Sequence, residues 1–268
     1  ASSSKRKNLY IGITSAAAVL VLMLALWPLI HSETSTESIQ VFASLESPKE
    51  ITYSETGERM EVSTPAGTTT TITLSDGTEV LLSANSRLEY SKSFSADKRE
   101  VKLVGEARFN VAKDAERPFI VHTRQLQTQV LGTVFDVKAY PQTPADVTLY
   151  EGKVEVSLNG DAPQLMQPGE QVFLDKEGKL QLTKAPEETG KWAEGEFAFD
   201  DKELKSVMQE IGSWYNISVV FHSRPLLEER IYLRMNRKVD ANEVLTILND
   251  MGIAKFEIVK EKIVVSKI

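Results

Sequence analysis

The chain contains no cysteine, which excludes disulfides, thiolate metal sites and a cysteine nucleophile. Histidine is almost as scarce. His31, His122 and His222 are the only three, and none has an i+3 or i+4 partner that would make a metal-binding helix face. No metal site and no cofactor are expected. The Thr-rich run from Gly67 to Thr73 lacks the Gly-x-x-x-x-Gly-Lys spacing of a phosphate loop and reads as exposed strand. Positive charge is the minority sign, with 31 Lys and Arg against 38 Asp and Glu and a net charge of −7. The one compact basic cluster, Lys5-Arg6-Lys7, flanks an apolar run, so no nucleic-acid footprint is present. The acidic pairs Asp200-Asp201 and Glu228-Glu229 fall at helix starts or in loops, where capping and solvation explain them. No hydrolytic triad can be assembled, and the chain does not read as an enzyme.

What is present begins with Leu9–Ile30, a run without Asp, Glu, Lys or Arg. At about 1.5 Å per residue a helix over this run spans roughly 33 Å, enough for a hydrocarbon core of about 30 Å. Bulky Leu26-Trp27-Pro28-Leu29-Ile30 is unlike the small-residue end of a cleaved signal peptide. Residues 9–30 therefore read as a single transmembrane helix. The basic cluster places residues 1–8 in the cytoplasm as a short stub and everything after His31 on the far side of the membrane.

Residues 31–59, rich in Ser, Thr and Glu without a clear period, read as an extended tether. Between 60 and 184 short alternating segments recur between turn signals. Thr70–Leu74 faces Glu79–Leu82 across Ser75-Asp76-Gly77-Thr78, a hairpin signature. Further strands are expected at 101–104, 108–111, 119–122, 128–131, 135–139, 147–150, 153–158 and 171–174, the spacing of a β sandwich or solenoid. Residues 185–191 form a linker.

From 192 to 268 the period changes. Leu204, Val207, Met208, Ile211 and Tyr215 make one helical stripe, and Val244, Ile247, Leu248 and Met251 another. Asp200 with Glu203, and Asp240 with Glu243, are spaced as capping boxes. Asp200, Glu203, Leu204, Val207, Met208 and Gly212 are each repeated forty residues later by a residue of the same kind, an internal repeat. With strands at 197–199, 217–221, 231–235, 255–260 and 263–266, this predicts a small α+β domain of two βαβ halves. Such a module offers strand addition at a short edge as a docking mode. Its aromatic residues Trp192, Phe197, Phe199, Trp214 and Tyr215 are candidates both for its core and for partner contact.

One dipeptide could carry chemistry. Gly132-Thr133 interrupts two apolar strands, and a Thr hydroxyl can attack the preceding carbonyl in an N-to-O acyl shift. A bulge or close-approach glycine is the competing reading.

The runs Leu74–Tyr90, Arg99–Val111, Arg117–His122, Val130–Val137, Tyr150–Val156 and Pro168–Gln171 resemble, in order, the motifs of the FecR family, membrane-anchored regulators of extracytoplasmic-function sigma factors. Trp192–Asp200 and Trp214–Ile217 resemble the C-terminal domain of its Bacteroidetes members. The resemblance implies a β-rich FecR domain followed by a domain similar to the small secretin and TonB N-terminus fold. It implies an anchor in the bacterial inner membrane, with the folded domains in the periplasm. The expected partners are the signalling domain of a TonB-dependent outer-membrane transporter, envelope proteases that relay the signal, and a sigma factor. The eight residues ahead of Leu9 are too few for a sigma-binding domain, so that contact is expected from a cytoplasmic segment not present in this chain. Self-cleavage at Gly132-Thr133 is implied by a matching dipeptide in some members. Because the small repeated fold also occurs in secretins, a structural subunit or adaptor of an envelope secretion system is the alternative.

Overall fold

A computed structural model describes residues 38–158, 161–175 and 177–268. The predicted transmembrane helix at 9–30 and the stub before it lie outside the described residues. Among the described residues no helix is long and apolar enough to cross a membrane. Ser38 to Ile268 belong to one compact unit.

Fourteen strands form one hydrogen-bonded sheet doubled over into a nearly closed, two-layered barrel. Its pivot is the long strand β7 (Arg99–Asn110). The first half of β7 pairs with β6 (Arg87–Ser91) and, in parallel, with β8 (Phe119–His122). Its second half pairs with β5 (Glu79–Leu82) and β10 (Val134–Ala139). The strand passes from one layer to the other at Gly105, whose φ is 106°. The expectation of two strands at 101–104 and 108–111 is thus corrected to one bent strand. The sandwich reading is the nearer one, since the two layers close on a single core that includes Val80, Leu82, Phe109, Phe119, Phe135 and Leu149. The Asp-Gly hairpin forms as expected, with β4 (Thr70–Thr73) registered on β5 as Thr70 to Leu82 and Thr73 to Glu79.

Beyond the barrel, β16 (Glu196–Glu203) pairs antiparallel with β18 (Arg230–Asn236). Helices α1 (Leu204–Tyr215) and α2 (Ala241–Asp250) bury the predicted stripes, including Val207, Met208, Ile211, Val244 and Leu248. Asp240 caps α2 by accepting from the amides of Asn242 and Glu243 at 2.8 and 3.0 Å. The capping box predicted at Asp200 and Glu203 does not form. Both residues continue β16, and Glu203 makes no side-chain cap.

The second sheet of this domain has the order β1-β17-β20-β19, with β17 (Ser218–Phe221), β19 (Lys255–Val259) and β20 (Lys262–Ser266). Strand β1 (Ile39–Phe42) comes from the segment read as a tether. That reading is corrected again at β2 (Thr52–Thr56), which pairs with β3 (Arg59–Ser63) in the barrel. Neither strand carries alternation to betray it. All of β2 is exposed, and β1 is held by residues far away in sequence.

Candidate functional site

Three places could carry function: the clasp between barrel and α+β domain, the Gly132-Thr133 peptide, and the seat of β1.

The clasp is built on charged side chains that leave the barrel sheet on the face opposite its core. Asp136 of β10 lies between Phe135 and Val137 in an apolar strand, and its buried carboxylate is fully engaged. Arg108 donates to both its oxygens, at 2.7 and 2.9 Å. The Tyr150 hydroxyl and the Trp192 indole N–H donate to Oδ2 at 2.8 and 2.9 Å. The Arg108 guanidinium lies 4.6 Å from the Tyr150 ring centre and donates to the Gly190 carbonyl at 3.2 Å. The predicted linker is thereby fastened to the barrel. Burial first, and then the Asp136 charge, push the Tyr150 phenol well above its ordinary pKa.

Beside it, Glu210 on α1 receives a cation from each domain. Lys138 Nζ of β10 approaches Oε2 at 3.4 Å, and Arg237 Nη2 donates to Oε1. The buried Arg237 guanidinium lies 4.5 Å from the Phe197 ring centre and 4.9 Å from that of Trp214. Burial acts against the charged form of Glu210, but Lys138 and Arg237 outweigh it and hold its pKa low. Lys138 is shifted up because Glu210 and Glu106 overcome the opposing effect of burial. Glu106, 6% exposed and without an ion pair of comparable closeness, is pushed up to about 7 by burial. Backbone contacts reinforce the clasp, with Gly67 N donating to Trp214 O at 2.8 Å and Asn85 Nδ2 to Ser213 O.

At the second place, Thr133 is buried, and its hydroxyl donates to the Lys153 carbonyl at 3.0 Å. A Cβ on Gly152 would stand 2.8 Å from Thr133 Oγ1 and 2.9 Å from Gly132 O, so only glycine lets the neighbouring loop lie against this peptide. Gly132 itself has φ 155° and would collide with Lys113 if it carried a side chain. The close-approach reading of this glycine therefore holds. The hydroxyl and carbonyl needed for an acyl shift belong to one peptide, which lines a surface pocket beside exposed Leu131.

The third place joins β1 to both domains. Ile39 and Gln40 register antiparallel with Phe221 and Val220, and after a bulge Phe42 registers with Val219. The bulge turns consecutive Val41 and Phe42 inward, 8% and 2% exposed. Side-chain amides then extend the ladder. Gln142 of the barrel accepts from Ala43 N at 2.7 Å and donates to its carbonyl at 2.8 Å. Asn216 does the same for Leu45, at 2.7 and 2.8 Å.

The aromatic residues proposed for partner contact are placed elsewhere than on a docking surface. Trp192, Phe197, Phe199 and Trp214 are buried. Tyr215 is half-buried and donates to the Val239 carbonyl at 2.7 Å. They build the core and the clasp. Sequence reasoning missed Arg108, Asp136, Lys138, Glu210 and Arg237. Asp136 and Lys138 alternate with core-facing Phe135 and Val137 and so read in the sequence as ordinary outward charges.

The FecR protein family model matches residues 60–155, and the FecR, C-terminal family model matches residues 196–265. Two crystal structures, at 2.50 and 1.65 Å resolution, of a protein assigned as an anti-sigma factor from Parabacteroides distasonis ATCC 8503 are similar to this chain. Each has 30% sequence identity and a TM-score of 0.70, covering 78% of this chain and 99% of that one. No curated protein matches. Over the barrel and the α+β domain together, this chain belongs to the FecR family of anti-sigma regulators, whose work is regulatory and not catalytic.

Proposed function

We propose that this chain is an inner-membrane signal transducer that regulates an extracytoplasmic-function sigma factor. Residues 9–30 anchor it with the N-terminus in the cytoplasm and the two folded domains in the periplasm. The signalling domain of a TonB-dependent outer-membrane transporter docks on the α+β domain, and envelope proteases carry the message inward. The sigma factor is engaged on the cytoplasmic side of the membrane. The observation that carries this reading is the pairing of FecR and FecR C-terminal regions in one chain, clasped through Asp136, Trp192 and Glu210. A clasp of buried ion pairs and hydrogen bonds can hold two discrete arrangements, which a relay between domains needs.

Calorimetric titration of the full chain in detergent with the signalling domain of the cognate TonB-dependent transporter tests the reading. Saturable binding at one signalling domain per chain is expected. Absence of heat and of co-elution at high concentration would overturn it.

A second activity is favoured by the Gly132-Thr133 peptide, which Gly152 approaches closely and which borders an open pocket. Thr133 Oγ adds to the Gly132 carbonyl carbon and the C–N bond breaks, leaving an ester and the free Thr133 amine. Water then hydrolyses the ester to the Gly132 carboxylate and regenerates the hydroxyl. Intact mass of the expressed chain should show two fragments summing to the whole plus one water, lost in Thr133→Ala. A single uncleaved species from the unaltered chain would end the idea.

A further inference from the structure

Strand β1 begins nine residues after Ile30 in the sequence, yet it completes the edge of a sheet whose other strands lie at the far end of the chain. It is a short strand, broken by a bulge, and it takes part in only three registered pairs. The seat beneath it is built to receive a strand. Helix α1 passes so close at Gly212 that an added Cβ would lie 2.8 Å from Val219 Cγ2 and 3.0 Å from Phe42 Cδ1. This close approach lets Phe42 pack beside buried Val219 and Phe221. The remaining grip is polar and sits on the backbone: Gln142 on Ala43, Asn216 on Leu45, the Ser218 hydroxyl on Ser44 N at 3.0 Å, and Gln209 Nε2 on Val41 O at 3.1 Å. Contacts of this kind read an extended backbone and not a particular sequence.

We propose that the β17 edge is a strand-acceptor site for an extended segment of a partner protein, and that β1 occupies it in cis until exchanged. The matching segment carries two adjacent large apolar side chains at a bulge, in the places of Val41 and Phe42. Exchange frees residues 39–45, next in sequence to the apolar run, as an extended substrate for a protease. The inference rests on the docking reading above and supplies its contact site. An empty edge would expose Val219 and Phe221 together with unpaired backbone groups, so β1 leaves only as another strand arrives.

The test uses the full chain in detergent and, as probe, a dye-labelled synthetic peptide of residues 38–45. Gln142→Ala with Asn216→Gly loosens the grip while preserving the left-handed backbone at 216, where φ is 55°. Gln40→Cys with Val220→Cys joins registered partners in a chain with no other thiol. Antiparallel partners lie about 4.5 to 5.5 Å apart, within disulfide reach. The loosened variant should capture the peptide saturably and be cut within residues 38–50 at least about tenfold faster than the unaltered chain, because the two substitutions remove four hydrogen bonds to the strand's backbone. The oxidised pair should do neither, and reduction should restore cutting to the rate of the unaltered chain. A folded loosened variant that neither takes the peptide nor is cut faster overturns the proposal, as does an oxidised pair cut as fast as its reduced form. Dimerisation of the loosened variant in place of peptide capture overturns the partner assignment in favour of a second copy. If the loosened variant does not fold, the oxidised and reduced pair still decides. No transporter is needed, so failure here is distinct from failure of the docking reading.

Discussion

Arg99 is the largest fully buried side chain, with 0% exposure, and its charge is neutralised by Asp76 at 2.7 Å in the β4–β5 turn. It also donates to the carbonyls of Ala112 and Arg117 at 2.8 and 2.9 Å. Asp76 serves the turn as well, accepting from Thr78 N at 3.0 Å and from its hydroxyl at 2.7 Å. Removing one partner of a buried pair leaves an uncompensated charge. Asp76→Asn should therefore destabilise the chain by about 3 to 5 kcal/mol, measured by urea unfolding. A change below about 1 kcal/mol would contradict the role given to the pair. Glu106 acts through pH. Its folded value of about 7 lies above an unfolded value near about 4.3, so the folded chain holds the extra proton between them. The stability it contributes is complete below the unfolded value and is lost as pH rises through about 7, on the order of 3 kcal/mol by pH 8. Unfolding free energy should fall between about pH 5 and 8 in the unaltered chain and fall less steeply in Glu106→Gln. Equal slopes would remove Glu106 as the cause.

Among elements, α1 and β1 depend on each other at Gly212. Alanine there must push back Val219, the Ile217 carbonyl and Phe42. Gly212→Ala should lower stability by about 1 to 3 kcal/mol, as for other overpacked sites, despite the better helix propensity of alanine. Hydrogen exchange should show β1 loosened more than α2, whereas uniform loosening would argue against a specific seat. The elements legible in the sequence are those whose own period is strong. The two helices carry full apolar stripes, the β4–β5 hairpin carries Asp-Gly, and β10 and β11 (Asp146–Glu151) carry apolar runs. Strand β2, exposed throughout, and β15 (Leu180–Lys184), nearly so, have no buried face to make a pattern. Strand β1 was hidden because its partners are far away in sequence and its bulge breaks alternation. The Asp200 and Glu203 spacing misled because β16 runs on through both residues to the first residue of α1. The Gly132-Thr133 dipeptide is visible in the sequence, but the close approach of Gly152 and Lys113 to it is not. Asp136 and Arg237 were not singled out because their importance comes from neighbours distant in sequence.

For the whole molecule, the decisive property is that barrel, linker and α+β domain are tied at several independent points. Asp136 holds Trp192, Glu210 bridges Lys138 and Arg237, and Gln142 reaches from the barrel to β1. A displacement of the α+β domain would have to break these ties or carry the barrel and β1 with it. Breaking the clasp without touching the edge of the sheet, by Asp136→Asn, should uncouple the two domains in thermal unfolding. A broader transition or two in place of one is expected, and a single unchanged transition would show that Asp136 contributes no coupling of its own. The most direct test of the signalling role is hydrogen exchange on the full chain, with and without a saturating transporter signalling domain. Slower exchange on part of residues 196–265, with faster exchange at residues 39–45, is expected if the α+β domain is the receptor-docking module. No change anywhere in residues 196–265 at saturation would contradict it.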